Sequence, residues 1–152
     1  MDGAQDGADD DLGRVLLRTA TLTVLLFQSV AAHAGLGVVD AQCAVLLGLD
    51  GPRTPGQLAR AVGVSTGGAI TAVIDRLEAA GLARRTRDPG DRRRVLVAPV
   101  PGALDRLAAH TGPAAAALAA ATPPALAPSL RDWADALNAA LPDVIEATRP
   151  AP

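Results

Sequence analysis

The sequence predicts a mainly α-helical fold with a small β-wing, and three features predict it. Two short helices with apolar stripes, after Thr54 and after Ser65, are joined by the tight turn Gly63-Val64-Ser65. An arginine-rich hairpin follows directly, from Ala83 to Val97. Long helix-forming segments, rich in Ala and Leu, flank this unit on both sides. At 152 residues the chain is large enough to bury a real core.

Taken in order, residues 1–10 read as a disordered acidic tail: Asp2 to Asp11 holds five aspartates and no base. A long helix is expected from Asp11 to Ala34, with acidic residues suiting its N-terminus and Gly35-Leu36-Gly37 ending it. Its middle, Leu22 to Phe27, is apolar on nearly all sides. Such a helix needs more cover than one small lobe provides, so Leu22 and Leu26 are expected to meet a second copy of the chain. Thr19 to Val39 carries no formal charge and is long enough to span a bilayer, but Thr19, Thr21, Thr23, Gln28, Ser29 and His33 interrupt it. We read it as a buried helix of a soluble, cytoplasmic protein with no membrane partner. The acidic N-terminus also lacks the basic region of a secretion signal.

Asp40 is expected to cap a short helix, Ala41 to Leu49, closed by Asp50-Gly51-Pro52. Thr54 and Gln57 form a capping-box pair, with Pro55 at the first helical position, where its missing N–H costs nothing. The next helix is expected from Thr66 to Ala80. Ile70, Val73, Ile74 and Leu77 make its core stripe, Gly81 its left-handed cap and Leu82 the closing hydrophobic contact. Pro89 and Gly90 fit the centre of a type II turn in the hairpin. Arg93 would share a strand face with Val95 and Val97 unless the tip geometry turns it outward. Beyond the hairpin, a helix from Pro101-Gly102 to His110 should break at Gly112-Pro113, followed by an alanine tract, Ala114 to Ala121. A last helix, Ser129 to Leu141, places Leu130, Trp133, Leu137 and Leu141 at helical spacing, with Pro142 bending it before Asp143 to Thr148. The expected division is therefore a winged helix-turn-helix over 40–100 and a helical dimerisation region from 11–36 and 102–149, with Leu22, Leu26, Trp133 and Leu137 at its seam.

Charge points to the partner. The net charge is −2, so no global basic signature exists. Every cation is arginine, however, and from Arg53 to Val97 nine arginines face four acids, a local balance of +5. Local field rather than net charge decides where a polyanion docks. The polar face of the second helix offers Ser65, Thr66, Gly67, Gly68, Thr71 and Arg76. Small residues there let the backbone approach a groove wall, and the helix N-terminus favours phosphate. With Arg92, Arg93 and Arg94 of the wing, these are the candidate contacts to double-stranded DNA.

Asp91-x-Arg93-x-x-x-Val97, following Ile74-Asp75-Arg76-Leu77-Glu78-Ala79-Ala80-Gly81-Leu82, resembles the MarR family of bacterial transcription regulators. The resemblance is close over the helix-turn-helix and wing, and extends to the flanking helices only in order and length. It implies a homodimer whose first and last helices interlock, with a recognition helix in the major groove and a wing in the minor groove. Carried over, Thr66 to Arg76 is the recognition helix, Arg93 the wing arginine and Asp91 the carboxylate that orients it. The implied function is a DNA-binding regulator, most often a repressor, at an inverted-repeat operator. A small lipophilic effector would bind between the dimerisation helices and the winged lobe. With Phe27 and Trp133 as the aromatic residues, a mostly aliphatic pocket is expected. Gly67-Gly68 and the Ala/Pro-rich stretch from Gly112 to Pro128 depart from the family pattern.

Other chemistry finds little support. Cys43 cannot form an internal disulfide, and it lies near a helix N-terminus, which lowers a thiol pKa; a buried structural thiol is the preferred reading over an oxidant sensor. His33 and His110 are too few for a metal site. No nucleophile constellation, phosphate loop or carboxylate pair stands out, so neither an enzyme nor a cofactor is expected. The alternatives to a DNA-binding regulator are a winged-helix interaction module and a small-molecule or redox sensor.

Overall fold

The structure, a computed structural model, describes the backbone of residues 3–148. It describes the side chains of residues 11–148 apart from Leu104, Thr111, Pro113, Ala114, Ala115 and Leu118. The elements follow in the order α1 (Gly3–His33), α2 (Val38–Asp50), α3 (Pro55–Val62), α4 (Gly68–Ala79), β1 (Ala83–Arg87), β2 (Val95–Pro99), α5 (Ala103–Ala121), a 3-10 turn (Pro124–Leu126) and α6 (Ala127–Thr148). The chain divides into two compact units, Met1–Thr111 and Gly112–Pro152.

The first unit holds the core. Cys43 and Leu47 of α2, Leu58 of α3, Ile70, Val73, Ile74 and Leu77 of α4, Leu82, Val97 of β2 and Leu107 of α5 form one buried cluster. The expected α4 stripe is this core's largest contribution, and its spacing of three and four residues explains why. The end of α4 also forms as expected. Gly81 takes φ 66°, and its N–H donates to the Glu78 carbonyl at 3.0 Å while that of Leu82 donates to Leu77 at 2.9 Å. Those two bonds satisfy carbonyls that a helix end otherwise leaves open. The Thr54–Gln57 capping box is present at α3, and Gly63 ends that helix at φ 71°.

β1 and β2 pair antiparallel, from Ala83 opposite Pro99 to Arg87 opposite Val95. Arg53 adds an isolated bridge on the other side of β2, which the sequence did not suggest. Its N–H donates to Val97 at 3.0 Å and its carbonyl accepts from Val97 at 2.8 Å, which ties the α2–α3 linker to the wing.

Several boundaries differ from expectation. Helix α1 begins at Gly3, through residues read as a disordered tail. Ala4, Gln5 and Ala8 are good helix formers, and acids suit a helix N-terminus, so the composition read as solvated tail also continues a helix. Met1 and Asp2 lie outside the described residues. α2 starts at Val38, with Gly37 in the cap position and no side-chain cap bond, so Asp40 is not its cap. α4 starts at Gly68 rather than Thr66. α5 runs unbroken past Gly112-Pro113 and α6 past Pro142. The neighbouring alanines and leucines hold both helices through a residue that removes only one internal bond.

Among the described residues, most of long α1 is exposed. Leu22 and Leu26 are 55% and 39% exposed, and Val15, Leu16 and Leu25 are open as well. Asp11–His33 is the one stretch among the described residues that is long and apolar enough to cross a membrane. In the second unit α6 shows the same condition separately. Leu130, Trp133, Leu137, Leu141 and Ile145 recur at helical spacing and are all exposed, Trp133 to 49%.

Candidate nucleic-acid interface

The helix-turn-helix places its polar residues as a surface. Ser65, Thr66, Gly67, Gly68 and Thr71 are all exposed, while the opposite stripe of α4 is sealed in the core. Gly67 caps α4 at φ 115° and ψ −132°, a region essentially closed to residues with a Cβ. Its carbonyl accepts from both the Thr71 N–H, at 3.1 Å, and the Thr71 hydroxyl, at 2.8 Å. The hydroxyl proton of Thr71 is therefore engaged, and the oxygen faces outward as an acceptor.

The wing tip differs from a type II turn. Gly90 has no positive φ, which that turn requires at its third position. Asp88 instead closes the tip: its carboxylate accepts from the Gly90 N–H at 2.8 Å, and its own N–H donates to the Arg94 carbonyl at 3.1 Å. Asp91 makes a second such turn, its carboxylate accepting from the Arg93 N–H at 3.0 Å and its carbonyl from the Arg94 N–H at 2.9 Å. Strand β2 starts only at Val95, so Arg92, Arg93 and Arg94 sit in the loop, and all three are exposed. Strand alternation does not apply to them. Asp91 shapes the arginine loop through backbone, not through the guanidinium of Arg93.

Charge pairing sorts the arginines. Arg53 pairs with Asp50 at 2.7 Å. Arg85 is held by Asp75 at 2.7 Å and by Glu78, which also accepts the Arg85 backbone N–H. The bond to Asp75 and the charges of both acids keep the Arg85 proton even more firmly bound than usual. Arg76, expected among the DNA contacts, is tied to Asp40: Nε donates to Oδ2 at 2.8 Å and Nη2 to Oδ1 at 2.7 Å. That bond raises the Arg76 pKa further. By contrast, Arg92, Arg93 and Arg94 form no ion pair with any described carboxylate. Sequence reasoning missed the Asp40–Arg76 link because the partners are 36 residues apart on different helices. The sole signal was an acid next to a buried stripe.

Cys43 lies one turn beyond Asp40 and is fully buried. Burial, then the Asp40 charge, pushes its thiol up to about 11, the reverse of the lowering expected from its place near a helix start. His33 and His110 pack edge to face with ring centres 5.3 Å apart, and no cluster of three metal-ligating side chains exists among the described residues. Beside them a small depression of about 160 Å³ is lined by Ala34, Leu36, Ala80, Leu82, Leu107, His110 and Arg106. Arg106 also donates to the Gly81 carbonyl.

Residues 34–94, from the end of α1 to the last wing arginine, match the MarR family. Over that stretch, less than half of its length, the chain is similar to the family. It is 45% identical over 83 residues to YcgE of Bacillus subtilis, described as an uncharacterised HTH-type transcriptional regulator. The aligned stretch covers 55% of this chain and about half, 53%, of that relative. The fold resembles transcriptional regulator Tm0710 from Thermotoga maritima, with a TM-score of 0.63 at 18% identity over 90% of this chain and 98% of the other. It also resembles a MarR variant from E. coli complexed with operator DNA, with a TM-score of 0.52 at 22% identity over 67% of this chain and 72% of that one. YcgE and Tm0710 are both described as transcriptional regulators.

Proposed function

We propose that this chain is a cytoplasmic regulator of the MarR family that binds double-stranded DNA as a homodimer, at an inverted-repeat operator, and represses by occupying promoter DNA. The observation that carries the reading is the wing tip: three consecutive exposed arginines without carboxylate partners among the described residues, beside acids spent on shaping the loop. Unpaired guanidinium groups on a rigid hairpin are what a polyanion neutralises. The operator complex of the similarly folded MarR variant supports the same use of this fold.

The contact set is Ser65, Thr66, Gly67, Gly68 and Thr71 at the start of α4, Arg76 further along it, and Arg92, Arg93 and Arg94 on the wing, with Asp91 shaping the loop. Exposed Leu22 and Leu26 on α1, and Trp133 and Leu137 on α6, supply the dimer seam. Two lobes then read half-sites about ten base pairs apart. A small lipophilic effector belongs to the same reading, and the depression beside Arg106, at about 160 Å³, is below the ~300 Å³ of ordinary ligand sites.

The test is affinity for duplex DNA against salt. If each lobe neutralises about four phosphates, log K against log[salt] should fall with a slope near −7. A nearly flat dependence would remove the nucleic-acid reading and favour a protein-interaction module. Sedimentation at micromolar protein should show a dimer, and a monomer there would remove the two-half-site arrangement.

A further inference from the structure

We propose that Asp40 is a positioning residue for DNA recognition, holding Arg76 so that the free edge of its guanidinium is ready to take a phosphate of duplex DNA. The proposal rests on the DNA-binding reading above. Asp40 is 3% exposed and is the one charged side chain so deeply buried among the described residues. An ion withdrawn from water this far needs a partner of good geometry. Asp40 does not find it on its own helix: α2 has no side-chain cap bond. Both carboxylate oxygens go to α4, one to Nε and one to Nη2 of Arg76. Those two donors form one edge of the planar guanidinium. Nη1 makes no bond to Asp40, and the Arg76 side chain remains 56% exposed.

Arg85 shows what a purely structural arginine looks like in the same lobe. Its Nη1 goes to Glu78 and its Nη2 to Asp75, so both terminal nitrogens are spent. Among the described residues, Arg76 keeps one terminal nitrogen for an outside acceptor. A clasp whose purpose was only to hold α2 against α4 would gain little from an arginine more than half in water. Fixing that arginine in advance, however, removes the ordering cost that a mobile side chain meets when it binds.

The sign of the effect separates this role from field and from fold. By field alone, removing a carboxylate near a polyanion strengthens binding. If Asp40 positions Arg76, the isosteric Asp40→Asn weakens it. The experiment uses the full chain and a duplex enriched by the wild-type protein from a randomised library, with thermal melts run alongside. Asp40→Asn should bind about two- to tenfold more weakly, the range for ordering one long side chain on binding. Arg76→Gln should lose at least as much and flatten the salt slope by about one per lobe, as for one lost phosphate contact. The double variant should be no weaker than Arg76→Gln. Binding by Asp40→Asn at or above wild-type strength, or additive losses in the double variant, overturns the proposal while leaving DNA binding intact. Absence of salt-dependent binding by the wild type removes both. Should Asp40→Asn fail to fold, Arg76→Lys decides, because it keeps the charge but not the two-point clasp: wild-type affinity overturns the positioning role, and weaker binding supports it.

Discussion

Two adjacent glycines at the start of the recognition helix should respond to alanine in opposite directions. Gly67 sits at φ 115° and ψ −132°, whereas Gly68 is the first residue of α4 and has no positive φ. A Cβ added at either position would meet nothing within 4 Å, so packing contributes to neither substitution. The difference is therefore backbone alone. Gly67→Ala must be strained or must rebuild the helix start, which costs about 1–3 kcal/mol. It would also disturb the Gly67 carbonyl that accepts from Thr71 N–H and hydroxyl. Gly68→Ala keeps a compatible conformation and restricts the unfolded chain, a gain of about 0.4–1 kcal/mol. Urea titrations of the two variants and wild type, at one protein concentration and with equal slopes, measure both shifts. Two shifts of the same sign, or Gly67→Ala as stable as wild type, would refute the account of how α4 begins.

Arg93→Ala should weaken DNA binding by about 1–3 kcal/mol without changing the sedimentation of the dimer. Asp91→Ala should produce a smaller loss through a loosened loop, and wild-type binding by Arg93→Ala in an anisotropy titration would contradict the wing assignment. Leu137→Asp, at an exposed position on α6, should weaken dimerisation by about 2 kcal/mol or more in a dilution series, and an unchanged dimer would put the seam elsewhere. The Cys43 thiol, raised to about 11, should resist iodoacetamide at pH 8 in the folded chain and react on unfolding. Its neutral form is favoured by the fold, so its contribution to stability is full below the ordinary thiol pKa of 9.0 and is lost as pH rises through about 11. Native-state alkylation at the rate of a free thiol would contradict that burial.

Local codes were legible where neighbours in sequence settle the outcome. The capping box at Thr54 and Gln57, the closure of α4 by Gly81 and Leu82, and the apolar stripe Ile70, Val73, Ile74, Leu77 each depend on residues within one or two helical turns. Composition misled where strong helix formers compete with breakers: Gly112-Pro113 and Pro142 stay inside helices because one missing bond does not outweigh a long helical run.

By itself, the sequence determined the order of the winged helix-turn-helix, the place of the basic hairpin and the apolar stripes of the outer helices. Each follows from periodicity or from a turn of a few residues. Only the tertiary structure decided which of the nine arginines are held by acids and which stand open. Asp40 reaches across 36 residues to hold Arg76, Asp75 and Glu78 take Arg85, and the loop turns of Asp88 and Asp91 leave Arg92, Arg93 and Arg94 open. It also decided the chemistry of Cys43, whose helix position suggests a lowered pKa and whose burial beside Asp40 raises it. Ion pairs and burial depend on approach in space between segments distant in the chain, and no local pattern carries that information.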